Sequence, residues 1–332
     1  MKKGNYTYLL LLAFIGFVAC GNGNKTASLP DEETKDVKAP EFNADSAFAY
    51  VKAQCDFGPR TPNSQAHNLC GNWLVNKFKE FGATVYEQTD KVRAWDGSML
   101  DMRNIIASYN PETRKRVIIC AHWDSRPWAD NDPDEKNHHT PIDGADDGAS
   151  GVGVMIEIAR QLQMKSTEIG IDLICFDLED YGTPQWYEGK HDENSWCLGS
   201  QYWSHQPHVE GYNARFGILL DMVGNANARF HKEYFSQRMA GNVVSKVWKK
   251  AHNSGYGVYF PKEDGGAITD DHIPVNQIAR IPCIDIIPEY ENCEASSFGP
   301  IWHTINDNIS NIDKNTLKAV GQVLMEVIYN EK

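Results

Sequence analysis

The stretch Ile171-Asp-Leu-Ile-Cys-Phe-Asp-Leu-Glu-Asp-Tyr-Gly182 decides the fold class, because it is an apolar run that ends in two adjacent carboxylates. A continuous run of this kind reads as a strand buried on both faces, and such strands belong to parallel sheets covered by helices. Glu179 and Asp180 then stand at its carboxyl end, the rim where open α/β sheets bind ligands. Consecutive side chains of an extended segment point to opposite sides. The pair is therefore expected to face two partners, such as a metal and a reacting proton.

Runs of the same type flank this one. Arg116-Val-Ile-Ile-Cys-Ala121 delivers His122-Trp-Asp124 at its end, Phe216-Gly-Ile-Leu-Leu-Asp221 ends in a carboxylate, and Pro282-Cys-Ile-Asp-Ile-Ile287 lies further on. Thr84 to Gln88 and Met102 to Tyr109 read as two more strands. Between them the apolar period changes to that of helices. Asn43 or Asp45 caps a helix through about Gln54, and Ser64 caps a second with Leu69, Trp73, Leu74 and Phe78 on one face, ending at Gly82. The intervening Phe57-Gly-Pro-Arg-Thr-Pro62 reads as an ordered turn. Gly144-Ala-Asp-Asp-Gly-Ala-Ser-Gly151 opens a helix that buries Val152, Met155, Ile156, Ala159 and Leu162. Further helices are expected at Gly199 to His205, near Ser236 to His252, and at the end of the chain through Leu317, Val320, Val323, Leu324 and Val327. Strands alternating with helices, without a break or a repeat, predict one α/β domain over residues 42–332, with a central, largely parallel mixed β-sheet flanked by helices.

The 332 residues carry a net charge of −13, which excludes nucleic acid and anionic membrane surfaces as electrostatic partners. Met1-Lys2-Lys3 followed by Tyr8 through Ala19 has the basic start and short apolar core of a secretory signal, and Cys20 after Ala19 fits a lipoprotein signal peptide over residues 1–20. Export to the periplasm or cell surface is expected, with membrane attachment only through a lipid on Cys20. Residues 21–41 are polar, aperiodic and read as a flexible tether. Of the seven remaining cysteines, Cys120, Cys175 and Cys283 lie inside strand-like runs and read as buried thiols; no disulfide can be assigned from the sequence.

The polar residues at strand ends, namely His122, Asp124, Asp147, Glu179, Asp180, Asp221 and His303, come from separate segments that converge on one rim. Histidine mixed with carboxylates suits zinc, whose catalytic sites take three protein ligands and leave a position open. His138 and His139, adjacent in a polar loop, read as solvated. At this point the chain resembles a known family. His122-Trp-Asp124, Gly144-Ala-Asp-Asp147, Leu178-Glu-Asp180, Leu219-Leu-Asp221, Asp270-Asp-His272 and Trp302-His-Thr304, in this order, are similar to the motifs of zinc-dependent glutaminyl cyclases of the animal and bacterial type, within the M28 aminopeptidase superfamily.

The resemblance implies one zinc per chain, held by Asp147, Asp180 and His303. The animal cyclases have Glu where Asp180 stands, so the shorter side chain requires the loop to approach the metal more closely. It implies cyclisation of an N-terminal glutamine of peptides or proteins to pyroglutamate, with ammonia leaving, Glu179 carrying the proton, and Asp221 and Asp270 as acidic residues around it. Like charges packed together raise at least one of their pKa values. Trp302 matches an aromatic wall of the substrate pocket, and Trp186 falls in the loop that carries another. The alternative in the same superfamily is a two-zinc aminopeptidase, whose ligand positions His122, Asp147, Asp180, Asp221 and His303 are all filled. Asp270-Asp-His272 and Trp302-His303 favour the cyclase.

Overall fold

The computed structural model describes residues 37–290 and 292–332, so the signal segment 1–20 and the tether up to residue 36 lie outside the described residues. Residues 37–41, which composition assigns to the tether, belong to the folded body. The Val37 N–H donates to Asn330 Oδ1, the Gln322 amide donates to the Pro40 carbonyl, and Ala39 is buried.

The chain forms α1 (Ala44–Cys55), α2 (Gln65–Glu80), β1 (Thr84–Arg93), β2 (Met99–Tyr109), β3 (Arg116–His122), α3 (Ala149–Met164), β4 (Gly170–Phe176), α4 (Leu198–His205), β5 (Gly217–Leu220), α5 (Tyr234–Asn253), α6 (His272–Gln277), β6 (Cys283–Ile286) and α7 (Lys314–Ile328). One six-stranded sheet runs in the order β1-β2-β4-β3-β5-β6. The strands from β4 to β6 are parallel, and β1 and β2 form an antiparallel hairpin on the β4 edge. After β3 the chain moves first to β4 on one side and then to β5 on the other. That reversal opens a crevice at the carboxyl ends of β3 and β5, where ligands bind in open α/β sheets.

Caps and periodicity account for the helices. Asn43 accepts from the Ser46 N–H and Ser64 from the His67 N–H. On α2 the buried face is His67, Cys70, Gly71, Leu74, Val75 and Phe78, whereas Leu69, expected on that face, is 47% exposed. The 3.6-residue period through positions 67, 71, 74 and 78 turns position 69 outward. β1 runs five residues past the expected Gln88, because the hairpin pairs Arg93 with Met99 through polar residues that show no apolar alternation. All seven cysteines among the described residues are unpaired, and Cys120, Cys175 and Cys283 are fully buried.

α5 begins on Glu233, whose carboxylate accepts the N–H groups of Phe235 and Ser236 and, from a distant loop, that of Ile268. Burial alone would raise the Glu233 pKa, but His272 and the helix amides outweigh it and lower the value to about 2. A depressed carboxylate stabilises the fold above its unfolded pKa and loses that contribution as pH falls through the folded value. Glu233→Ala is accordingly expected to cost about 1–2 kcal/mol at neutral pH, as for a lost N-cap. The gap to the parent should close between the ordinary value of 4.5 and about 2. Urea denaturation across that range measures it; a gap independent of pH would contradict the assignment.

Candidate active site

β4 stops at Phe176, so the Glu179-Asp180 pair lies in a turn and not on the strand. The Asp177 side chain ends the ladder by accepting the N–H groups of Arg103 and Leu178 and pairing with His67 Nε2 at 2.8 Å. Leu178 then takes a left-handed conformation with φ 57°. The next two N–H groups donate to the two oxygens of Asp124, Glu179 to Oδ1 and Asp180 to Oδ2, each at 3.2 Å. The two side chains do face different partners, but a turn clamped by Asp124 separates them and not the pleat.

Asp180 faces His303, with Oδ1 3.3 Å from Nε2, and Asp147 Oδ2 lies 3.6 Å from the same nitrogen. Asp147 is delivered just before α3, where Asp307 accepts the N–H groups of Asp146 and Asp147 in its two oxygens. His303, itself left-handed at φ 53°, is stacked between Trp302, with centroids 3.7 Å apart, and Trp196, at 6.1 Å. Donor atoms of Asp147, Asp180 and His303 all lie within 4.8 Å of one another. Asp180 Oδ2 is buried without a hydrogen-bond partner. A buried, unpartnered carboxylate oxygen beside two more O/N donors is the arrangement a zinc ion would satisfy. A second group shares Asp147: His122 Nε2 lies 2.8 Å from Asp147 Oδ1 and 3.3 Å from Asp221 Oδ1. Asp221 thus pairs with His122, while lining the same cavity as Glu179 and Asp270.

That cavity, of about 290 Å³, is bounded by Asp147, Glu179, Asp221, Asp270 and His303 and walled by Trp196, Phe298 and Trp302. Burial pushes the Glu179 carboxyl well above the ordinary range, with Asp270 and Asp180 adding to the shift against the pull of His122. Burial also raises Asp270 strongly, reinforced by Asp221 and Asp271. A carboxyl so raised binds a proton more readily than an ordinary side-chain acid, which suits a group that must take a proton and return it.

Trp302 is among the residues that line this cavity, and Trp186 is not. Trp186 packs against Trp128 and the rings of His138 and His139. Trp196 forms that wall instead, because Gly182 has no Cβ: one placed there would come within 2.0 Å of the Trp196 ring. Three further residues were not singled out in the sequence. The Arg126 guanidinium, fully buried, grips Asp130 with two hydrogen bonds of 2.7 and 2.6 Å and also donates to the Asp180 carbonyl at 3.0 Å. Asp130 Oδ1 in turn lies 3.2 Å from His303 Nδ1. Cys197 places its thiol 3.3 Å from Glu179 Oε1. Arg126 and Asp130 stand four apart in an irregular loop, where spacing carries no signal.

A parallel-core α/β sheet with His and Asp donors at its switch-point rim defines the class of metal-dependent exopeptidase-like proteins. Residues 104–328 match the model of peptidase family M28, and the chain belongs to that family. Among solved structures it is similar to a Bacteroides thetaiotaomicron glutaminyl cyclase bound to N-acetylhistamine, at 60% identity and TM-score 0.87, covering 89% of this chain and 100% of that one. A Zn-dependent exopeptidase from Parabacteroides distasonis is similar at 54% identity and TM-score 0.87, covering 88% and 100%. The glutaminyl-peptide cyclotransferase of Bos taurus is 26% identical over 67% of this chain and 64% of its own length. The chain spans about half to three quarters of the length of the curated relatives it matches.

Proposed function

We propose that this chain is a zinc-dependent glutaminyl-peptide cyclotransferase, converting the N-terminal glutamine of peptides and proteins to pyroglutamate. The observation that carries the reading is the 60% identity to a glutaminyl cyclase matched over its whole length. The half-buried Glu179 and the buried Asp270 beside a small aromatic-walled cavity agree with it. Asp147, Asp180 and His303 would hold one zinc, and when bound it supplies Lewis-acid polarisation of the glutamine γ-carbonyl.

The chain's own residues do the rest. Trp196, Phe298 and Trp302 bend the glutamine side chain back toward its α-amine, so the attack is intramolecular and much of its entropic cost is already met. As the α-nitrogen bonds to the γ-carbon, Glu179 takes the proton that the nitrogen loses. Glu179 then gives that proton to the departing amide nitrogen, which leaves as ammonia. Asp270 stabilises the protonated form of Glu179 by proximity of like charge. Asp221, paired with His122, lines the same cavity.

The intact group of His122, Asp147 and Asp221 favours a second reading, a two-metal aminopeptidase. Incubation of the purified chain with a Gln-initiated peptide separates them. The cyclase releases ammonia and leaves the chain length unchanged; free glutamine would overturn it. Two metal ions per active chain would also count for the peptidase. Export and a lipid anchor on Cys20 are part of the proposal and rest on the Met1–Cys20 pattern alone. Metabolic fatty-acid labelling that survives Cys20→Ser would refute the anchor.

A further inference from the structure

Beside the proposed zinc ligands lies a third set of donors. Cys197 Sγ, a Glu179 carboxylate oxygen and an Asp270 carboxylate oxygen all fall within 4.8 Å of one another, and the set shares no residue with the other two. Asp270 is 4% exposed, and its Oδ2 has no hydrogen-bond partner. Cys197 is 2% exposed and held in place by its backbone: its N–H donates to the Glu179 carbonyl at 3.0 Å, and the following N–H groups pair with Leu178 and Asp177. Its φ of 57° is unusual for a residue with a Cβ and costs about 1 kcal/mol. The local fold thus bears strain to aim a thiol at the carboxylate that carries the proton.

We propose that Cys197 Sγ and the carboxylates of Glu179 and Asp270 form an inhibitory site for a thiophilic divalent cation, cadmium or zinc in excess of the catalytic ion. One sulfur and two oxygens are a donor set that zinc and cadmium accept, and that magnesium and calcium, which prefer all-oxygen shells, do not. In the resting state the thiol hydrogen is directed at Glu179 Oε1. On binding, the sulfur–hydrogen bond breaks and a metal–sulfur bond forms; that proton, together with any proton held by the Glu179 or Asp270 carboxyl, leaves to solvent, with no change of oxidation state. The dication offsets two of the three negative charges that a thiolate and two carboxylates bring together there, beside the further acids Asp221 and Asp271. Inhibition follows because Glu179 can no longer take the substrate's proton, and that consequence rests on the cyclase reading.

Cadmium titrated into the zinc-loaded chain without substrate provides the test, read by ultraviolet sulfur-to-cadmium charge-transfer absorption. The catalytic donor set contains no sulfur, so cadmium exchanged into it gives no such band. A saturable band is expected in the parent and in Cys293→Ser, which removes a partly exposed thiol away from this cavity. Cys197→Ser should lose the band. Asp270→Asn keeps the thiol and should weaken cadmium binding at least ~10- to 100-fold, the cost of losing even an outer partner of a metal site. In activity assays, Cys197→Ser should raise the cadmium concentration for half-inhibition by a similar factor. A band that persists in Cys197→Ser, or one of unchanged affinity in Asp270→Asn, would overturn the site. A band that behaves as expected in a chain with no cyclase activity would keep the site and refute the catalytic reading.

Discussion

Glu179→Gln is expected to lower kcat by about 10²- to 10⁴-fold, the usual contribution of a positioned acid–base group, while the bound zinc stays. This corresponds to about 3–5 kcal/mol of barrier. The substitution keeps the side-chain shape and leaves an oxygen to accept from the Cys197 thiol, so the pocket should not rearrange. What it removes is the capacity to take and return a proton. Asp180→Ala should do the reverse: the chain keeps Glu179 but loses a donor 3.3 Å from His303, and zinc content falls before any kinetic defect in the loaded protein appears. Ammonia release measured beside zinc content decides the matter. Equal loss of zinc in Glu179→Gln and Asp180→Ala would sink the division of roles.

That the two acids face different partners could be anticipated from an apolar run ending in adjacent carboxylates, although a turn clamped by Asp124, and not the pleat, separates them. Periodicity reports burial, and it located β3 to β6 and the buried faces of α3 and α7 within a few residues. It does not report where a ladder stops. β4 ends at Phe176 because the Asp177 carboxylate accepts backbone N–H groups from its own turn and from β2, a tertiary event with no local sequence signature. Of the rim residues, His122 and Asp221 were legible because strand ends in a parallel sheet must converge, whereas Asp147 lies in the turn before α3 and His303 in the loop after β6. Trp186 and Trp196 illustrate the opposite case. Both sit in one irregular loop, and the choice of cavity wall fell to Trp196 through the space left by Gly182 and the stacking of Arg126 on its ring, 4.6 Å from the centroid. Arg126, Asp130 and Asp307 were invisible for a related reason, since charged residues in a polar loop read as solvated until the fold buries them.

Arg126→Leu is expected to destabilise the fold by about 3–5 kcal/mol, because removing one partner of a buried ion pair strands the other. The stranded groups are identifiable. Asp130 loses both hydrogen bonds of its carboxylate to the guanidinium, and the Asp180 and Gly182 carbonyls lose a donor at 3.0 and 3.5 Å. Zinc affinity should fall by about 10- to 100-fold in the same variant, since Asp130 orients His303 and Arg126 draws in the loop of Asp180. Arg126→Lys supplies a charge but no planar fork, and should recover only part of either loss. The double variant Arg126→Leu with Asp130→Leu separates the two roles. An apolar pair removes the stranded charge, so stability by urea denaturation should return toward the parent. Zinc affinity, measured by competition with a chelator, should stay low because His303 then lacks its carboxylate partner. Recovery of both together would mean that Arg126 and Asp130 hold the fold alone and do not position the metal ligand.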